Sequence, residues 1–305
     1  MNSSLDDSWE RLGLLFVPDK SLAWSKTHAM IPTPIMVNGN HRIFYSARND
    51  LNQSSIGWFE IDLTHESKVL QCSQSPVLSP GDLGCFDDNG VSPSCLIKLD
   101  NGDIAMYYIG WNPGSTTRVN LFGGLALSHD GGETFVRWSR APILERTKTD
   151  PFINTAPWVM KTSTGYRMYY VSGSGWPHKD SPRYNIKIAY SLDGLSWERN
   201  GEVVLDFFSS AETALARPFV IEENGLWRMW VASRVNEYSI AYAESKDGIR
   251  WERKDELYGL TPSGQGEERV MTEYAIVIRS GGFLWMLYNG DDYGKAGILL
   301  ARRRN

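Results

Sequence analysis

One phrase of this chain is written three times, and a phrase repeated in register restricts folding more than any single motif does. Ser191-Leu192-Asp193-Gly194-Leu195-Ser196-Trp197-Glu198-Arg199 returns as Ser245-Lys246-Asp247-Gly248-Ile249-Arg250-Trp251-Glu252-Arg253. Ser128-His129-Asp130-Gly131-Gly132-Glu133-Thr134-Phe135 is an earlier copy with one extra residue in its turn. Each follows a strand-like run: Leu125-Ala126-Leu127, Ile188-Ala189-Tyr190 or Ala241-Tyr242-Ala243. Asp-Gly supplies the positive backbone angles of a tight turn, the Ser and Asp side chains satisfy turn amides, and the aromatic pins the next strand.

A second series has the same period. Ile43-Phe44-Tyr45, Met106-Tyr107-Tyr108, Met168-Tyr169-Tyr170, Met229-Trp230-Val231 and Met286-Leu287-Tyr288 read as one buried strand, repeated at intervals of 63, 62, 61 and 57 residues. Upstream of each, another strand opens at Pro32, Pro93, Pro157, Pro218 and, without proline, Ala275. Five units of about sixty residues therefore fill the 305 positions. A two-layer sandwich with coincidental turns is the alternative.

The ends of the chain suggest how the units are arranged. Trp9-Glu10-Arg11-Leu12-Gly13 matches Trp197-Glu198-Arg199-Asn200-Gly201, the outermost strand of a repeat, yet precedes the first full repeat. The last repeat stops at Ile298-Leu299-Leu300-Ala301 without such a strand. The expectation is an all-β ring of five four-stranded antiparallel blades, closed by the N-terminal strand pairing into the last blade, which removes exposed edges. Blades are predicted over 31–75, 92–144, 156–205, 217–257 and 274–301, with strands of the first near 35–37, 42–47, 56–62 and 68–72. The long polar connections 79–90, 145–155, 206–216 and 259–272 are where function concentrates on such a scaffold. One domain over 1–305 is expected, with very little helix.

Composition narrows the function. Twelve Trp, 14 Tyr, 11 Phe and 28 Gly suit many short strands joined by tight turns. A net charge of −5 argues against nucleic acid or an anionic membrane as partner. No apolar run approaches the roughly 20 residues of a membrane span. The polar, acidic opening from Met1 to Glu10 has no secretory pattern, and Cys72, Cys85 and Cys95 are odd in number without metal-ligand spacing. A cytoplasmic protein with reduced thiols is the reading. Asn289-Gly290-Asp291-Asp292 is too short to count as a calcium motif, so no metal or other cofactor is expected.

Five four-stranded blades with Ser-x-Asp-Gly-x-x-Trp turns and strands opening near prolines resemble the five-bladed β-propeller glycosidases: glycoside hydrolase families 43 and 32 and the family 130 phosphorylases. The resemblance covers nearly the whole chain. It implies a carbohydrate substrate over a central funnel, with acidic residues from different blades as base or nucleophile, transition-state stabiliser and acid. The match departs where it matters. The family 43 pattern puts Asp directly before the inner-strand proline of blades one and three, where this chain has Ile31 and Ala156, and Glu two residues before the blade-four proline, where it has Ala216. That triad does not transfer.

Carboxylates near strand entries remain. Two carboxyls about 5 to 9 Å apart suffice for glycosidic cleavage, so Glu212 is a candidate acid, with Asp88 or Glu273 as base. Glu212 also reads as a loop carboxylate or turn cap, Asp87-Asp88-Asn89-Gly90 as an ordinary turn, and Asp150-Pro151 as a loop corner. Substrate-binding candidates are His28, Arg48, Arg118, Asp150, Arg217 and Arg234, with Trp111 and Trp176 placed to stack on sugar rings. Guanidinium forks around one funnel imply an anionic ligand, unless each pairs with a structural carboxylate. The expected function is cleavage or transfer of a glycosidic bond in polysaccharide metabolism, on an acidic or phosphorylated sugar. Phosphorolysis with inorganic phosphate and non-catalytic sugar binding are the alternatives. The 128–135 turn also fits the Asp-box of sialidases, which use six blades where this chain counts to five.

Overall fold

Aromatic and β-branched runs bounded by Asp-Gly turns fold as strands when both faces find partners, and the computed structural model is built almost entirely of them. It describes residues 8–63 and 67–304; residues 1–7, which hold most of the stretch read as lacking a secretory pattern, lie outside the described residues, as do 64–66 and 305. β1 (Glu10–Phe16) opens the order. An antiparallel group then runs β2 (Thr27–Val37), β3 (Asn40–Arg48), β4 (Ser54–Asp62) and β5 (Lys68–Cys72). The next is β6 (Gly90–Lys98), β7 (Ile104–Pro113), β8 (Val119–Ser128) and β9 (Val136–Arg137). A third joins β10 (Asn154–Thr162), β11 (Gly165–His178), β12 (Ser181–Ser191) and β13 (Val203–Leu205). A fourth joins β14 (Ala214–Glu223), β15 (Leu226–Arg234), β16 (Tyr238–Ser245) and β17 (Glu252–Arg253). The last, β18 (Glu273–Ser280), β19 (Phe283–Asn289) and β20 (Ile298–Arg304), takes β1 as its outer strand.

That pairing runs from Glu10 opposite Arg302 to Phe16 opposite Ile298, as the orphaned Trp-Glu-Arg strand implied. The hydrogen-bonded ladder itself does not run right round. Single parallel pairs, Ser54 with Gly90, Phe122 with Asn154 and Tyr184 with Ala214, link the first four groups, while β1-β20-β19-β18 is a separate sheet. Strand packing and side-chain contacts link the two sheets. The leading strands β2, β6, β10, β14 and β18 lie against one another in order, and β18 also lies against β2. Asn289 takes the Ile31 N–H at 2.8 Å and donates to the Ala29 carbonyl at 2.7 Å, and Phe16 stacks on Phe59 at 4.2 Å.

The second strands are the buried walls the periodicity predicted: each three-residue motif from Ile43-Phe44-Tyr45 to Met286-Leu287-Tyr288 is at most 1 % exposed. The repeated turns do two jobs. Within a turn, Ser191 and Asp193 cap it: the Gly194 N–H reaches Ser191 Oγ at 2.9 Å and the Leu195 and Ser196 amides reach Asp193 Oδ1 at 2.8 Å, with Gly194 at φ 74°. Between groups, Tyr107 donates to the Gly194 carbonyl at 2.6 Å and Tyr169 to the Gly248 carbonyl at 2.8 Å. Trp197 and Trp251 pack edge-on against those same tyrosines. Among the described residues, helix is confined to α1 (Asp255–Tyr258), α2 (Asp291–Gly294) and a 3-10 turn, Gly266–Glu268. Among the described residues no helix is long and apolar enough to cross a membrane. The three cysteines are free thiols.

Candidate active site

Four leading strands carry the same irregularity. Ile31, Ala156 and Arg217, each directly before a proline, and Tyr274 before Ala275 adopt left-handed backbone with φ between 48° and 57°. The strand register slips at each of these places. A bulge of this kind re-aims a side chain, and non-glycine residues hold the left-handed region only where surrounding structure enforces it. All four side chains are thereby turned onto one cavity of about 480 Å³, which Ser92 of β6 also lines. Ile31, Ala156 and Ala216, the positions where the resembling pattern has carboxylates, are all on its wall. No Asp or Glu is among its described lining residues.

In place of acids the wall carries Arg48, Arg118 and Arg217, with Trp111 and the phenols of Tyr184, Tyr274 and Tyr293. Arg217 is 1 % exposed. It donates to the Ala275 carbonyl at 2.9 Å, the Pro32 carbonyl at 2.7 Å and Thr33 Oγ1 at 2.9 Å, so it ties β14, β18 and β2 together. Its Nε is buried without a partner, and burial without an acid lowers its guanidinium to about 9. Arg48 reaches Asn52 Oδ1 at 3.0 Å and stands 5.9 Å from the Trp111 ring. The Trp111 indole N–H is fixed on Ser54 Oγ at 2.8 Å. Among the described residues none of the three arginines forms an ion pair with a carboxylate, whereas buried Arg42 is paired with Glu60 at 2.9 Å.

Three of the carboxylates weighed in the sequence, Asp87, Asp150 and Glu212, belong to a repeated latch. Asp87 accepts from Arg137 at 2.8 Å and Tyr108 at 2.9 Å. Asp150 accepts from Lys187 at 2.7 Å, Tyr170 at 3.0 Å, Ser172 at 3.2 Å and Arg199 at 3.5 Å. Glu212 accepts from Ser233, from Arg253 at 3.1 Å and from the Phe208 N–H at 2.6 Å. Glu268, which the sequence did not single out, repeats the pattern with Arg11 and Tyr288. Asp88 is half-buried and accepts the Gly84 N–H at 2.8 Å.

Of the residues singled out from the sequence, Arg48, Trp111, Arg118 and Arg217 line the cavity together, while Asp88, Asp150, Trp176, Glu212 and Arg234 do not line it. Trp176 packs against the core. Arg234 donates to Thr213 Oγ1 and the Pro182 carbonyl and lies over the Tyr184 and Tyr238 rings. His28 bonds Thr27 Oγ1 at 2.8 Å; burial, with Arg48 and Lys295 nearby, pulls its imidazole down to about 4, so it is neutral at pH 7. Glu273 is wholly buried directly behind Tyr274, and burial pushes its carboxyl well above the usual carboxylate range. The sequence reading missed Tyr184, Tyr274 and Tyr293. Aligning the repeats would have found Tyr274, which stands where Ile31, Ala156 and Arg217 stand.

The all-β, propeller-like scaffold is similar in fold to solved glycoside hydrolase-like propellers. The structure is similar to that of BT0996 in an RGII complex (TM-score 0.76, 18 % identity, covering 97 % of this chain and 92 % of that one). It is also similar to a thermostable family-43 glycoside hydrolase (0.64, 16 %, 91 % and 89 %). A third match (0.68, 14 %, 99 % and 95 %) comes from the GH130 family of mannoside phosphorylases, which contains glycoside hydrolases targeting β-1,2-mannosidic linkages in Candida mannan. No protein-family model matches the chain. The chain belongs to the same family as the uncharacterized protein Rv1502 of Mycobacterium tuberculosis, with 37 % identity over 300 residues, 98 % of this chain and 100 % of that protein.

Proposed function

We propose that the protein is a carbohydrate-active propeller that splits or transfers a glycosidic bond of an anionic or phosphorylated sugar, with inorganic phosphate as the attacking group. The observation that carries this is the wall of the cavity: three arginines without carboxylate partners, and no Asp or Glu where a hydrolase activates water. Guanidinium forks match phosphate or carboxylate oxygens bidentately, and Trp111 offers a flat face to a pyranose. Phosphate needs no general base to become a nucleophile, so one proton donor suffices. In this reading the five antiparallel groups are blades of one closed domain, supported by the β1–β20 pairing and the Asn289 and Arg217 bridges. A cytoplasmic site of action, where phosphate and free thiols coexist, fits the same picture, with neither nucleic acid nor a membrane as partner.

The missing carboxylates also favour a second reading, a non-catalytic propeller that binds an anionic sugar. Incubation of the protein with an oligosaccharide and aryl-glycoside panel, with and without phosphate, separates them. Sugar 1-phosphate released only with phosphate present is the expected result. A thermal shift with phosphate or glucuronate but no turnover of any member selects the binder, and neither shift nor turnover sinks both. Arg48→Ala should abolish the phosphate-dependent shift, because ligand binding raises apparent stability in proportion to ln(1 + [L]/Kd).

A further inference from the structure

Glu273 is unlike every other buried acid described above. Asp87, Asp150, Glu212 and Glu268 each face an Arg or Lys and a hydroxyl. Both carboxyl oxygens of Glu273 are buried without a hydrogen-bond partner of ordinary geometry, and the Tyr274 phenol lies against them. An unpaired buried carboxyl contributes nothing to folding and costs desolvation. Tyr274, the next residue, is held in left-handed backbone at φ 56° and lines the cavity. Two consecutive residues are therefore arranged as an outer tyrosine on the cavity wall and an inner acid against its phenol.

We propose that Tyr274 donates the proton to the departing sugar oxygen and that Glu273 is the positioning residue that resupplies it. The proposal rests on the phosphorolytic reading. As the anomeric carbon–oxygen bond breaks, its electron pair goes to the departing oxygen, which takes the Tyr274 proton; the phenolate takes the proton of the Glu273 carboxyl. A hydrogen phosphate oxygen forms the new bond to the anomeric carbon, and the proton it sheds restores Glu273. Around the pair stand Tyr184 of β12, Arg234 of β15, Glu237 in the turn after it, Tyr238 of β16 and Tyr293 after β19. Burial raises the Glu273 carboxyl well above the usual carboxylate range, and the cycle requires that its proton be held at neutral pH.

Two measurements test this on the intact protein. Infrared difference spectra at pH 7 should show a protonated-carboxyl band that Glu273→Gln removes and Tyr274→Phe shifts. With phosphate present, both variants should lose about a hundredfold or more in kcat on methyl or sugar leaving groups. They should lose under about tenfold on dinitrophenyl leaving groups, which depart without a proton, and KM should be unchanged. Equal losses on both leaving groups would mark a structural role and overturn the donor assignment, as would an unchanged kcat. Absence of the band overturns the protonated Glu273. If the wild type turns over no glycoside, phosphorolysis and the donor role fall together, and the band alone then decides whether the Tyr–Glu proton pair exists.

Discussion

At the scale of single residues, the chain divides its ionisable groups by whether they have partners. Burial penalises the charged form of Glu273 and pushes its carboxyl well above the usual carboxylate range, which fixes the sign of the consequence. Its folded pKa lies above the unfolded value near 4.5, so the unfolded chain releases that proton first. Stability from this group is complete below about pH 4.5 and declines as pH rises toward the folded pKa. Glu273→Gln keeps the shape without the ionisation. It should be more stable than the wild type in urea at pH 8, with the difference closing by pH 4.5. A variant less stable than the wild type at pH 8 contradicts this. His28 works in the opposite sense: its folded pKa near 4 lies below the ordinary 6.5, so its contribution is lost as pH falls through that window. Arg48, Trp111, Arg118 and Arg217 were legible as a group because each sits beside a strand end whose position the repeat fixes. Glu212 and Asp150 stand off the cavity wall, and the sequence did not show this because a carboxylate near a strand entry does not disclose which way its loop turns it. The arginine that claims Glu212 lies 41 residues further on.

Among elements, the latch explains why the Trp-Glu-Arg phrase recurs at all. Arg11, Arg137, Arg199 and Arg253 each follow the turn or strand aromatic by two residues, and each clamps the acid of the loop leading into the same group. Two of the outer strands, β9 and β17, have only two residues each, so ladder bonds alone hold them weakly. The buried pair fastens them instead. Removing one member of such a pair strands the other charge in the interior, which typically costs about 3 to 5 kcal/mol. Arg253→Ala should therefore lower the unfolding free energy in urea by about 3 kcal/mol, while the phosphate-induced thermal shift persists in Glu212→Gln. A lost ligand shift in Glu212→Gln with unchanged stability would return Glu212 to the site. The turns themselves were readable, including that their Ser and Asp side chains satisfy turn amides. The partner of Arg253 was not, since no local pattern ties positions so far apart.

For the whole molecule, the strand order matters more than any one bond. β1 fills the edge of β20 and sets Phe16 on Phe59 and Tyr45, joining the last group to the first. Deleting residues 8–17 should bare both surfaces, lowering the melting temperature and producing aggregates by size-exclusion chromatography. A monodisperse, equally stable truncation would mean that the seam holds without it. The same feature governs how the protein is made. β1 leaves the ribosome before every other described strand and its partner β20 after all of them, so β1 must stay unmated while the strands between are made. Pairing between such remote segments is slow. In the cell, the capture of β1 by β20 is then a late step, and the time before it is when a chaperone has most to guard.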